Sequence, residues 1–293
     1  MKRVILNFVC FFTVSGIIAQ DNSLNRYFDV KLKDITPIVP EKQEYDVVIK
    51  KQVLHPIEKR VYSTDALKAS LWVYGTDSVV WHNVGWSRMD DLLQEPVQTV
   101  NWDEFNGRIH KTGSTDWMNE EFYSNIPPEK RGWAEMMTSD VPWLAFGWFI
   151  LDSLEFQKDY FPKIMDNYDI TVKGSYTFSS SYVKCIWSGV TLHHDEMCAI
   201  VKFESLNSQL TSYSEDRIAM KGRDMYYGEI WVSLNDKQIE RLVMVEDVVG
   251  ENQFDKSLFE MQRIVTFNKV KYFKRFIRYR TTQSQRTSQT DNE

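Results

Sequence analysis

Apolar and polar residues alternate with a period of two over most of the second half of the chain. Ile230, Val232 and Leu234, for example, share one face of an extended segment, and the polar residues between them lie on the other. Alternation of this kind is typical of strands with one buried face. It predicts six strands, at residues 170–179, 182–192, 197–205, 223–234, 238–247 and 261–272.

A similar β pattern runs through residues 45–86, with a turn signal at Gly75. Long strands joined by short polar turns such as 235–237 favour antiparallel pairing. We therefore predict a mainly β fold, either a curved antiparallel sheet or an open half-barrel.

The segment at about 87–169 departs from this pattern and is rich in tryptophan. Helical patterns at 89–94 and 143–154 are separated by loop-forming prolines and glycines, and eight of the ten tryptophans fall between residues 72 and 148. This segment is predicted to be a Trp-rich helical and loop insertion.

The two ends of the chain have distinct compositions. Lys2 and Arg3 precede an apolar run that ends near Ala19, which predicts a signal peptide at 1–20 and an exported protein, periplasmic or secreted. Residues 21–45 are expected to form an extended N-terminal arm, and 46–280 a single β-rich domain that contains the insertion. Residues 281–293 lack apolar side chains and are predicted to be a disordered tail.

Charge and hydropathy argue against nucleic-acid binding and against a membrane-spanning segment. The 293 residues carry 35 Lys and Arg against 41 Asp and Glu, a net charge of -6. A general nucleic-acid binder would need a basic surface, so nucleic acid is not expected as a partner. No other window is apolar and long enough to cross a bilayer, so we expect no integral membrane span in the mature chain.

Cleavage of the signal would leave two cysteines, Cys185 and Cys198, in an oxidising compartment. If the hairpin between them turns at His194 and Asp195, Cys198 faces Thr191 and Cys185 faces Glu204, and the thiols are too far apart to bond. A tighter hairpin centred on residues 191–192 would place them opposite each other. Both a disulfide and two buried free thiols therefore remain open.

Two segments resemble a known family of envelope proteins. They are 174–204, with Gly174-Ser-Tyr-Thr-Phe and Tyr182-Val-Lys-Cys-Ile-Trp-Ser-Gly-Val, and 228–242, with Gly228-Glu-Ile-Trp-Val-Ser. The strand order resembles the back half of the periplasmic lipoprotein carriers of the LolA/LolB group, over roughly residues 174–249. Ser233 stands where that group usually has Asp. The resemblance implies a curved half-barrel that encloses an apolar cavity, whereas lipoprotein trafficking does not follow from it.

Catalytic motifs are missing from the sequence. No nucleophile elbow, phosphate loop, dinucleotide fingerprint or His-Glu-x-x-His is present. The acidic pairs 90–91, 103–104 and 120–121 are interpreted as solvated surface. The run His193–Glu196, even with His82 or His110 added, is interpreted as an exposed polar turn. We predict no catalytic residues, no metal site and no cofactor.

Aromatic and basic side chains supply the candidate binding residues. Tryptophan suits both an apolar cavity and a sugar-stacking platform, although many of these residues would simply fill a core. The ligand-binding candidates are Trp102, Trp117, Trp133, Trp187 and Trp231.

The run 269–280 has six basic residues and no acid, which suits either contact with an anionic surface or a protected edge strand. Its basic residues are Lys269, Lys271, Lys274, Arg275, Arg278 and Arg280.

The sequence therefore favours an exported, non-enzymatic protein that holds a lipophilic or envelope-derived ligand in an apolar cavity. One alternative is a protein that binds or processes polysaccharide through loop tryptophans. Another is a structural envelope protein whose aromatic side chains only fill its core. The expected ligand is a lipid or a glycan.

Overall fold

A computed structural model shows that the chain is built mainly from β-strands. The structure describes residues 26–75, 78–90, 95–108, 151–163, 168–172, 176–180, 182–214 and 217–271, with single positions at 128, 131, 134, 137 and 138. The predicted signal peptide and the predicted tail lie outside these residues. The domain boundaries proposed from the sequence remain predictions.

Within the described residues, twelve strands form one antiparallel sheet. The order of its main path is β4-β3-β2-β1-β12-β11-β10-β9-β7-β6, and β8 pairs with both β9 and β5. Because β4 and β6 end this path, the sheet formed by the described strands is open, which confirms the predicted fold class. The strands are β1 (Gln43–Leu54), β2 (Val61–Tyr74), β3 (Ser78–Asp90), β4 (Glu95–Arg108), β5 (Asp159–Tyr160), β6 (Tyr168–Val172), β7 (Tyr176–Ser180), β8 (Lys184–His193), β9 (Glu196–Ser214), β10 (Arg217–Ser233), β11 (Ile239–Asn252) and β12 (Leu258–Lys269).

The alternation that predicted the strands separates two faces of the sheet. In β1, Tyr45, Val47 and Ile49 are buried, whereas Asp46 and Val48 between them are exposed. We call the face that carries Tyr45, Val47 and Ile49 the inner face. Buried residues on neighbouring strands continue it, and the ring of Tyr45 stacks on Phe267 of β12 with 4.1 Å between centroids.

The structure corrects the predicted elements in two places. Glu95–Arg108 pairs with β3 as a strand, although helix and loop were expected from residue 87. The predicted strand 170–179 is instead a pair, β6 and β7, and the sequence between the two holds Gly174. In both places backbone pairing with a neighbouring strand decides the structure, and a pattern within one segment does not reveal such pairing.

The core lies between the inner face and residues from the middle of the chain. Ala134, Met137, Leu151 and Leu154, which we call the cover residues, are buried in one apolar cluster with Leu67, Val265 and other inner-face side chains. Leu32, on a single 3-10 turn of the N-terminal arm (Leu32–Asp34), is fully buried in the same cluster. The predicted arm is therefore anchored to the core by this residue.

The hairpin between β8 and β9 settles the state of the cysteines. His194 and Asp195 have φ values of 47° and 66°, as the two central residues of a type I′ turn require. Cys198 lies opposite Thr191, as the first register predicted. A bulge between Trp187 and Gly189 shifts the pairing by one residue, so that Cys185 lies opposite Phe203. Both thiols are free and buried.

We expect neither cysteine to react with a thiol reagent in the folded protein. Burial raises the pKa of Cys185 and of Cys198 to about 12, so that at about pH 8 roughly one thiol in ten thousand is a thiolate. Titration with a chromogenic disulfide should detect both thiols after unfolding in guanidinium chloride and neither before it. Rapid labelling of the native chain, or a mass that shows a disulfide, would contradict this arrangement.

Candidate functional site

A row of charged side chains crosses the inner face from strand to strand. In register, Arg88 of β3 lies opposite Asp65 of β2, which lies opposite Lys51 of β1. Lys51 in turn lies opposite Arg263 of β12, and Arg263 opposite Glu246 of β11. We call these five residues the polar row.

Most of the polar row is shielded from water. Lys51, Asp65 and Arg263 are buried, and the Glu246 side chain is 14% exposed. Only Arg88, at the β3 end of the row, is substantially exposed. Buried charges are costly unless they are paired and hydrogen-bonded, so the contacts of this row determine its contribution to the fold.

Hydrogen bonds and ion pairs connect the members of the row. Arg263 Nε donates to Glu246 Oε2, and Arg263 Nη1 donates to the carbonyl oxygen of the cover residue Met137 at 3.2 Å. Asp65 accepts a hydrogen bond from Trp86 Nε1 at 3.2 Å, and its Oδ2 lies 4.0 Å from Lys51 Nζ. Burial lowers the pKa of Lys51, whereas the nearby Asp65 carboxylate raises it and so opposes the shift.

The inner face is apolar on one side of the polar row. The adjacent row consists of Ile49, Leu67, Trp86, Val265 and Met244, all buried. Two further rows follow toward the start of β1, one through Val47 and Phe267 and one through Tyr45 and Leu71. From Ile49 to Tyr45 these three rows span roughly 13 Å of strand length. One face therefore joins a long apolar surface to a line of buried charges.

A second charged group lies at the end of the sheet where β1 begins. The carboxylate of Glu240 is buried and binds Lys269 Nζ at 2.6 Å and Lys271 Nζ at 3.3 Å. Lys271 also donates to the carbonyl oxygen of His194 at 3.0 Å. The two predicted anion-contact lysines that the structure describes are thus bound to an internal carboxylate, and the other four basic candidates lie outside the described residues.

The two tryptophan candidates whose side chains the structure describes, Trp187 and Trp231, have different surroundings. Trp187 is 1% exposed and donates from Nε1 to the Gly189 carbonyl oxygen at 2.7 Å, so its ring belongs to the core. Trp231 is half-buried, with the Arg241 guanidinium 4.6 Å from its ring centroid. Trp102 lies in β4 opposite Val84, with its side chain outside the described part. Trp117 and Trp133 also fall outside it.

Among the described residues, a small cleft lies at the end of the sheet where β1 begins. A cleft of about 40 Å³ lies between the arm residues Pro37–Pro40 and Lys237–Ile239. Its volume suits one or two water molecules, whereas small-molecule sites usually measure several hundred Å³. The inner-face side chains named above are buried in one cluster with the cover residues, so a lipid would contact them after the cover residues separate from the sheet.

Comparisons with known proteins give weak structural similarity. No protein-family model and no curated protein matches the chain. One similar structure is a protein inferred to be exported, with a YmcC-like fold, from Bacteroides fragilis (11% identity, TM-score 0.23, covering 81% of this chain and 99% of that one). Another is an inferred lipoprotein from Parabacteroides distasonis (9% identity, TM-score 0.25, covering 79% and 98%).

These TM-scores are too low to transfer a function. Export of this chain is predicted from its first twenty residues. The resemblance to the LolA/LolB group also stays a prediction. Within the described residues, no helix is long and apolar enough to cross a bilayer.

The polar row was not predicted from the sequence, although one signal was present. Lys51 follows Tyr45, Val47 and Ile49 at the same two-residue spacing, which places a charge on the buried face. A charged residue in phase with buried ones indicates a buried ion pair or a site. Its partners on β2, β11 and β12 are distant in sequence and could be identified only from the strand register.

Proposed function

We propose that this chain is an exported binding protein for an amphiphilic ligand, with an acyl chain or similar apolar group and an anionic head. The apolar rows of the inner face would hold the chain, and the polar row would hold the head. The observation that supports this proposal is the position of the polar row directly beside buried apolar rows on the same face of the sheet.

The apolar part of such a ligand would supply most of the affinity. Burial of an acyl chain contributes about 0.8 kcal/mol per methylene group. The three apolar rows next to the polar row offer a surface long enough for many methylene groups. A ligand of this kind would be retained without a covalent bond.

The head group would be recognised by the guanidinium of Arg263. Its Nη1 donates to the Met137 carbonyl, a neutral acceptor that belongs to the cover. A carboxylate or phosphate oxygen forms a shorter and stronger charge-assisted hydrogen bond with the same N–H group. An anionic head could therefore replace this carbonyl as the cover separates from the sheet.

Mass spectrometry of the exported protein tests the proposal directly. The protein is expressed with its own N-terminal segment to direct export and is purified after export. It is then extracted with organic solvent, and the extract is analysed for amphiphiles. We expect an anionic lipid or acyl compound at close to one molecule per chain. A clean extract, or glycans alone, would contradict the proposal.

A paired substitution provides the matched variant. Arg263→Met with Glu246→Leu replaces the ion pair by apolar side chains of similar size, an exchange that folded proteins often tolerate. This variant should fold and should lose at least about tenfold in affinity for a fluorescent fatty acid, because the charged hydrogen bonds to the head are gone. Unchanged affinity would show that the polar row does not bind the head.

A further inference from the structure

Three hairpin turns of the sheet share one backbone design. They connect β1 to β2 (His55–Arg60), β10 to β11 (Ser233–Gln238) and β11 to β12 (Asn252–Ser257). In each turn the first residue donates its N–H to the carbonyl of the sixth, and the fifth donates to the carbonyl of the first. The fifth residue is always a lysine with positive φ, between 57° and 62°.

The first residue of each turn also fixes the loop with its side chain. His55 Nδ1 accepts the N–H of Glu58 at 3.0 Å, Ser233 Oγ accepts that of Asn235 at 3.0 Å, and Asn252 Oδ1 accepts that of Phe254 at 2.9 Å. The three turns therefore share the same pair of backbone hydrogen bonds and a side-chain acceptor at the first residue, and their third residues stand at equivalent positions.

The third residue distinguishes the turns. It is Asn235 in the β10–β11 turn, but Ile57 and Phe254 in the other two, where the side chains are 80% and 61% exposed. The β10–β11 turn shows that this backbone design accepts a polar residue at the third position. An exposed isoleucine and phenylalanine there are therefore not explained by the turn itself.

The two apolar turns lie at the same end of the sheet. β1 and β12 are adjacent, and Leu54 lies opposite Glu260, so both turns project beyond the same strand ends. Two strand spacings place them roughly 10 Å apart. The polar turn at Asn235 lies at the opposite end, where β10 finishes. Ile57 and Phe254 can therefore enter one flat layer together.

Charges of both signs surround each apolar tip. Lys59 pairs with Glu260, and Lys256 Nζ lies 3.1 Å from Glu251 Oε1. A stable protein partner usually covers about 800 Å² of continuous surface on each side. Two separate side chains within charged surroundings do not provide such a surface. They match a zwitterionic lipid layer, in which paired charges lie above an apolar interior.

We propose that the β1–β2 and β11–β12 turns insert Ile57 and Phe254 into the surface of a phospholipid bilayer. The contact is shallow, with the lysines at the level of the head groups. This contact does not depend on the proposed ligand site, because the tips lie beyond the strand ends and the polar row lies on the inner face.

Sedimentation with phosphatidylcholine vesicles tests this contact. The exported protein should sediment with the vesicles, and binding should survive high salt because the contact is apolar. Ile57→Asn with Phe254→Asn, which gives both tips the residue that the third turn has at Asn235, should weaken binding by at least roughly tenfold. Fold is checked by the unfolding midpoint, which should not change.

Leu192→Asn is the matched control, since Leu192 is 63% exposed at the opposite end of the sheet. It should bind vesicles as the unchanged protein does. The proposal is overturned if the unchanged protein stays in the supernatant, if it binds only anionic vesicles at low salt, or if the control loses as much binding as the double variant. Loss of the ligand site alone would leave vesicle binding intact.

Discussion

Replacing Arg263 by methionine is expected to lower the free energy of unfolding by about 3 to 5 kcal/mol. The guanidinium is buried and is hydrogen-bonded to Glu246 on one side and to the Met137 carbonyl on the other. Without it, a carboxylate that is 14% exposed loses its hydrogen-bond donor from β12. Most of the lost free energy comes from leaving the Glu246 carboxylate unpaired, and less comes from losing its attraction to Arg263.

Urea unfolding followed by tryptophan fluorescence measures the effect. The midpoint should fall while the dependence on urea concentration stays the same, because the surface exposed on unfolding is unchanged. The double variant Arg263→Met with Glu246→Leu should recover most of the lost stability, since neither charge then remains. A single variant that loses less than about 1 kcal/mol would show that Glu246 is well solvated, in conflict with its burial.

The ion pair also explains why the polar row is compatible with a removable cover. The Arg263–Glu246 pair lies within the sheet itself, between the neighbouring strands β12 and β11. Among the described contacts, the cover meets the row at the Met137 carbonyl, which accepts a hydrogen bond from Arg263 Nη1. The proposed exchange with a ligand would replace this carbonyl and would leave the ion pair in place.

Strand patterns in the sequence predicted much of the fold. The alternation at Ile230, Val232 and Leu234 predicted that these side chains share one face, and all three are buried, because one face of an antiparallel sheet packs on a core. β4 was missed, because pairing with β3 decides its conformation and its sequence has no clear alternation. The Cys185 register was wrong by one residue, since the bulge after Trp187 has no sequence signal.

The candidate sites were less predictable than the fold. The polar row joins residues as distant in sequence as Lys51 and Arg263, and only strand order brings them together. The shared turn design was also hidden. Lysine is not among the residues that usually mark a positive φ, and the hydrogen bonds that define the turns are made by the backbone.

Replacing Trp187 by alanine is the second substitution with a large expected effect, a loss of about 3 to 5 kcal/mol in the free energy of unfolding. The ring is 1% exposed and packs edge-on against Phe156, with 5.5 Å between centroids. Its indole N–H is bonded to the Gly189 carbonyl. Alanine would leave a large cavity and remove this donor from a partly buried carbonyl group.

Trp231→Ala is the matched comparison, because both tryptophans were ligand-binding candidates and both lie on strands that pair with β9. Trp231 is half-buried and would lose its contact with the Arg241 guanidinium, so a cost of only about 1 kcal/mol is expected. Urea unfolding and fatty-acid binding should be measured on both variants.

If Trp187→Ala abolished ligand binding but left stability unchanged, Trp187 would line a cavity, and its place in the core would be wrong. A large stability loss without a selective loss of binding would confirm that the ring fills the core and that any ligand is held elsewhere on the inner face.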